Sequence, residues 1–187
     1  MPVYISLLRG INVGGNKRIK MAELQAVYES LGLTRVRTLL QSGNAVFAAA
    51  QDDADALGQR IEAAIIEHFH FEARVVMRTP AQLAAVIADS PFSADQRASP
   101  DKILVMFLLA APEPGLFAAL TAGYSGPEQL TLKGRELFVY FAEGVGRSKL
   151  SGNGIEKALK CVGTMRNWNT ILKLHELARS FGDGDAD

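Results

Sequence analysis

The sequence predicts an α+β protein built from two halves in tandem. Each half is of the ferredoxin-like β-α-β-β-α-β type with an antiparallel sheet, the second shortened and closed by a C-terminal helix. Three observations predict this. Apolar residues alternate between short strand-like runs and helical spacing in that order, and the order then begins again. An irregular Ser/Pro-containing stretch at residues 90–100 separates the two runs. The length of 187 residues is long for one typical domain and sufficient for two small ones. The expected boundaries are a first domain at 1–78, a short helix and linker at 79–101, a second domain at 102–182 and an acidic tail at 183–187.

Residues 3–8 form a β-rich run bounded by a glycine-rich segment. Met21, Leu24, Val27, Tyr28 and Leu31 then fall at helical spacing and stop at Gly32. Residues 36–40 and 44–47 flank Ser42-Gly43, where glycine readily takes a positive φ, so the pair reads as a hairpin. Asp52, Asp53 and Asp55 favour the N-terminus of a helix carrying Leu57, Ile61, Ala64, Ile65 and Phe69 on one side. A strand at 73–77 completes the first half, and Thr79-Pro80 makes an N-cap and first-turn pair for a short helix through Ala88. The second half reads as a strand at 102–109, a short helix with Leu116, Phe117 and Leu120, and strands at 128–132 and 136–141 around Lys133-Gly134. Ile155 and Leu159, then Trp168, Ile171, Leu174, Ala178 and Phe181, read as two closing helices, with Thr164 as a cap for the last.

Composition narrows the function classes. The apolar fraction of 48% supplies a real core, and the longest apolar run, at 103–111, is less than half of what spans a bilayer, so no membrane segment is expected. A lone cysteine, Cys161, cannot form an internal disulfide, and a reducing cytoplasm fits best. Three histidines (His68, His70, His175) and one cysteine offer no metal-ligand spacing, so neither metal nor cofactor is expected. The formal net charge of zero conceals a pattern: residues 1–50 carry six basic side chains against two acidic ones, and residues 147–179 carry seven against two. Brought together, these segments would make a positive face on a neutral protein; scattered, they are solvated charge.

Three constellations could carry chemistry. Residues 7–21, LLRGINVGGNKRIKM, place glycines and basic residues between strand and helix, where backbone N–H groups can be aimed at an anion. Arg18 stands where a P-loop requires Ser or Thr, and the dinucleotide-binding glycine spacing is absent. The candidate ligand-binding residues here are Arg9, Gly10, Asn12, Gly14, Gly15, Lys17 and Arg18, with Ser42 and Asn44 from the hairpin; otherwise the glycines only permit an unusual backbone path. Residues 144–154, GVGRSKLSGNG, repeat the pattern, and Arg147, Ser148 and Lys149 could hold a phosphate or carboxylate, unless the segment is only an exposed loop. Residues 164–170, TMRNWNT, add Arg166, Asn167 and Trp168, the indole serving either as a core anchor or as a base-stacking surface. No Ser/His/Asp or Cys/His order is evident; if a catalytic base exists, Glu156 or His175 is the one to mutate. Phe138 and Tyr140 share one side of a strand, either for packing or for stacking on bases.

The segments LLRGINVGG, QSGNAVF and TMRNWNT, in this order and at this separation, resemble the mainly bacterial family called domain of unknown function 1697, over essentially the whole chain. The resemblance implies a fold of ferredoxin-like halves and implies no established activity, cofactor or catalytic residue. The reading that results is a binder of nucleic acid or a phosphorylated small molecule through the two basic glycine-rich loops. The alternatives are an enzyme acting on an anionic substrate and a protein-interaction module.

Overall fold

The computed structural model describes residues 1–15, 17–50 and 53–181. Asn16, the expected cap Asp52 and the acidic tail lie outside these. The chain divides into two compact units, one comprising Met1–Ala85 with Lys173–Asp187 and the other Val86–Leu172.

In the first unit the elements run β1 (Val3–Leu8), α1 (Met21–Ser30), β2 (Thr34–Leu39), β3 (Asn44–Ala48), α2 (Ala54–Phe69) and β4 (Val75–Arg78). The strands form one antiparallel sheet in the order β2-β3-β1-β4. Period-two alternation directs Tyr4, Leu8, Ala45, Phe47, Val75 and Met77 to the face that packs with Leu24, Val27, Tyr28, Leu57, Ile61 and Ile65 of the two helices. Within this core Ser6 and Tyr28 share a hydrogen bond of 3.0 Å, and the Tyr28 ring meets Phe47 edge-on. Asp53 caps α2 by accepting from the N–H groups of Asp55 and Ala56. Between Thr34 and Arg37 the β2–β3 register slips, and Arg35 takes a φ of 56° there, the geometry of a bulge. α3 (Pro80–Ala88) follows, opened by reciprocal hydrogen bonds between Thr79 and Gln82.

The stretch expected to be irregular contains one turn of helix, α4 (Ala94–Arg97), closed by a capping box between Ser93 and Gln96, and a 3₁₀ turn at Pro100–Lys102. Beyond it the second unit runs β5 (Ile103–Leu108), α5 (Pro114–Gly123), β6 (Gln129–Lys133), β7 (Glu136–Tyr140), α6 (Gly152–Leu159) and β8 (Gly163–Asn167), before α7 (Trp168–Arg179). Its antiparallel sheet has the order β6-β7-β5-β8. The expectation of a shortened second half is therefore corrected. Residues 163–167 are a fourth strand in register with β5, pairing Leu108 with Gly163 and Leu104 with Asn167, and Thr164 is buried in that strand instead of capping a helix. Met106, Leu108, Leu137, Val139 and Phe141 face Ile155 and Leu159 in this unit's core. On the sheet's other side Phe92 touches Phe138, Tyr140 and Trp168 with ring centroids 5.9, 6.3 and 6.2 Å away. Phe138 and Tyr140 thus serve packing.

Candidate functional site

Two loops carry pockets, one in each unit. In the first, the chain leaves β1 and reaches α1 through Gly10, Asn12, Gly14, Gly15 and Lys17, all at positive φ. Asn12 tolerates this because its short amide bonds locally. Its Nδ2 donates to the carbonyls of Ile19 (2.9 Å) and Gln41 (2.7 Å), and its Oδ1 accepts the Ile19 N–H at 2.8 Å, so it ties the loop to the β2–β3 hairpin. Lys17 turns to the segment before β4, where Nζ donates to the Glu72 carbonyl at 2.6 Å and sits 5.8 Å from the centre of the Phe71 ring. Asn44 is fully buried and donates to the Leu39 carbonyl and to Ser42 Oγ, holding the hairpin closed. Asn12 and Asn44 thus spend amide hydrogen bonds on the fold, and Lys17 spends one of its three ammonium donors there, while Asn12 also lines the pocket beside the loop.

What remains open is a pocket of about 600 Å³ lined by Asn12, Gly15, Arg18, Ile19, Lys20, Glu23 and Gln41. It lies at the start of α1. Lys20, in the N-cap position with extended backbone, makes no side-chain cap to the first N–H groups of this ten-residue helix. Those N–H groups and the helix dipole favour negative charge, and Arg18 and Lys20 are exposed beside them. Glu23 moderates the field through an exposed 3.4 Å ion pair with Lys20.

In the second unit a pocket of about 400 Å³ lies between the segment after α5 and the loop after β7, lined by Gly123, Tyr124, Ser125, Gly126, Pro127, Glu128, Glu143, Arg147, Ser148 and Lys149. The chain reaches it through Gly144 at a φ of 89° and a 3₁₀ turn at Val145–Arg147. Arg147, Ser148 and Lys149 line it from the loop after β7. The residues that sequence reasoning missed are Tyr124, Glu128 and Glu143. The Tyr124 hydroxyl donates to Glu128 Oε2, and Ser148 lies beside both side chains while its Oγ accepts the Leu150 N–H at 3.0 Å. Burial pushes the Glu128 carboxyl up, but the hydrogen bonds from Ser148 and Tyr124 outweigh it and hold it below the usual carboxylate range. Burial and the bond to Glu128 hold the Tyr124 phenol above its ordinary value.

The third constellation, Arg166, Asn167 and Trp168, is engaged within the fold. Arg166 is buried in β8, donates through Nη1 to Thr164 Oγ1 (2.7 Å) and the Met165 carbonyl (2.8 Å), and burial lowers its pKa to about 10. Asn167 donates to the Pro100 carbonyl at 3.1 Å and accepts from the Asn169 N–H, tying the start of α7 to the turn before β5. Trp168 is 3% exposed and packs on Phe92, so its indole presents no face to a base. The proposed bases fare no better. Glu156 accepts the Gly163 N–H at 2.8 Å and holds the turn into β8, while the buried His175 Nδ1 has no hydrogen-bond partner and lines neither pocket. Among the described residues no three His, Cys, Asp or Glu side chains gather as a metal set, and no helix is long and apolar enough to cross a membrane.

Two four-stranded antiparallel sheets with their helices, and a loop architecture that opens on residues 7–21, define an α+β protein of a known kind. The chain belongs to the family described as Protein of unknown function (DUF1697), which it matches over residues 1–138. A solved structure described as the conserved bacterial protein SP0830 from Streptococcus pneumoniae is similar across 95% of this chain and 98% of its own, with a TM-score of 0.72 at 22% identity, a likeness of fold. No curated protein matches the sequence.

Proposed function

We propose that this protein binds a small phosphorylated or otherwise anionic molecule at the N-terminus of α1, without catalysing its conversion. We also read the two units as ferredoxin-like halves in tandem and the setting as a bacterial cytoplasm, the latter on the lone cysteine. The observation that carries the functional reading is the open start of α1, where Arg18 and Lys20 flank uncapped N–H groups in a pocket of metabolite size. A small ligand is favoured over nucleic acid. The chain is neutral, where nucleic-acid binders are usually basic, and the aromatic rings that could stack on bases are packed against one another.

The reading is tested by titrating the full chain with inorganic phosphate and with adenosine monophosphate at two salt concentrations, following backbone-amide NMR shifts. Saturable shifts at residues 18–23, weakened by salt and reduced about tenfold or more in Arg18→Ala and Lys20→Ala, are expected. Shifts absent from this segment, or unchanged in both variants, overturn it.

A further inference from the structure

The pocket of the second unit differs in chemistry from the α1 pocket, because it presents both signs of charge. Glu128 and Glu143 line it together with Arg147 and Lys149. A purely anionic ligand there meets the two carboxylates as well as the two cations, and a purely cationic one meets the reverse. A ligand bearing one group of each sign finds a complement for both. We propose that this pocket is a second binding site, separate from the α1 pocket, for a small zwitterion that places an ammonium group on Glu128 and an anionic group on Arg147 and Lys149.

Three features support it. Glu128 is a buried carboxylate that accepts the Tyr124 hydroxyl, so its orientation is set before any ligand arrives. Ser148, whose Oγ accepts the Leu150 N–H at 3.0 Å, lies beside the pair. Gly126 lies hard against this pair: a Cβ there would fall 2.6 Å from Glu128 Oε2, so the segment after α5 is shaped around the carboxylate and admits no side chain at that point. A carboxylate has room for further partners beyond the Tyr124 hydroxyl, and an ammonium supplies a charge-assisted one.

The test uses three probes of matched size on the full chain: β-alanine, which carries both charges, propionate, which carries only the negative one, and n-propylamine, which carries only the positive one. Amide shifts at residues 123–128 and 147–150 are followed by NMR, and the phosphate response is read separately at residues 18–23. The expected result is saturable binding of β-alanine, about tenfold or more tighter than either single-charge probe, and weakened about tenfold or more in Glu128→Gln and in Arg147→Ala. Arg147 is exposed, so its variant keeps the test open if Glu128→Gln fails to fold. The proposal is overturned by β-alanine binding no tighter than propionate, by affinity unchanged in Arg147→Ala, or by no saturable shift in this segment. Each of these can occur with the phosphate response intact, so failure here and failure of the α1 reading are distinguishable.

Discussion

Glycines of one loop system differ sharply in what they do. Gly43 has a φ of 71°, and a Cβ there would lie 2.6 Å from Ile11 Cδ1 and 2.8 Å from Leu8 Cβ; Gly14 has a φ of 63° and nothing within 4 Å. Left-handed strain alone is worth about 1–2 kcal/mol and overpacking about 1–3 kcal/mol more. Urea denaturation should therefore show Gly43→Ala destabilised by about 2–4 kcal/mol and Gly14→Ala by about 1 kcal/mol, and equal losses would refute the packing account. Tyr28 gives a residue-level pH prediction. Burial drives its phenol pKa well above the ordinary 10.0, the Ser6 hydrogen bond opposing only in part. A pKa raised on folding means that stability is fully present below pH 10 and falls as pH rises above it, because the unfolded chain ionises first. Tyr28→Phe should flatten this alkaline limb in denaturation measured across pH 9–11 while costing stability at neutral pH through the lost bond to Ser6. At this scale the glycine turn at Ser42-Gly43 was legible because a hairpin demands it. The roles of Asn12 and Lys17 were not, since residue type alone does not distinguish an amide aimed at a ligand from one aimed at its own backbone.

Helix ends carry the argument at the scale of elements. α2, α4 and α6 are capped by Asp53, Ser93 and Ser151, whereas α1 begins with Lys20 and no side-chain cap. Replacing Lys20 by Ser installs a good cap, and thermal denaturation should show a gain of about 0.5–1 kcal/mol while phosphate-induced shifts at residues 18–23 weaken. A gain in stability with undiminished phosphate response would separate the uncapped end from binding. The caps at Asp53 and Thr79 were readable because a capping residue precedes a periodic apolar run. β8 was not, because Thr164, Arg166 and Asn167 supply no apolar alternation; its strand character comes from the ladder with β5, across an intervening sequence of more than fifty residues. The Tyr124–Glu128 pair escaped notice for a related reason, since it becomes part of a pocket only when the loop after β7 folds beside it.

For the molecule as a whole, the order of elements followed from periodicity through the first unit and as far as α6 in the second, where β8 broke it. The single tryptophan lies in the second unit, so its emission reports that unit's packing. Emission should be blue-shifted in the native protein, and Phe92→Ala, which removes the ring between Phe138, Tyr140 and Trp168, should destabilise by about 3 kcal/mol and shift it to the red. An unshifted spectrum would show that Phe92 does not enclose the indole. At the rim of the first sheet, the bulge at Arg35 also bears on self-association. β2 ends that sheet, and a straight outer strand there would offer its free N–H and C=O groups as a template for another chain. The extra residue between Thr34 and Arg37 twists the strand out of line, and next to it the Arg35 guanidinium lies over the Phe181 ring, 4.7 Å from its centre, while Arg37 is exposed. The same irregularity that spoils the pairing of β2 with β3 thus spoils it for a stranger, and the sheet stops at four strands.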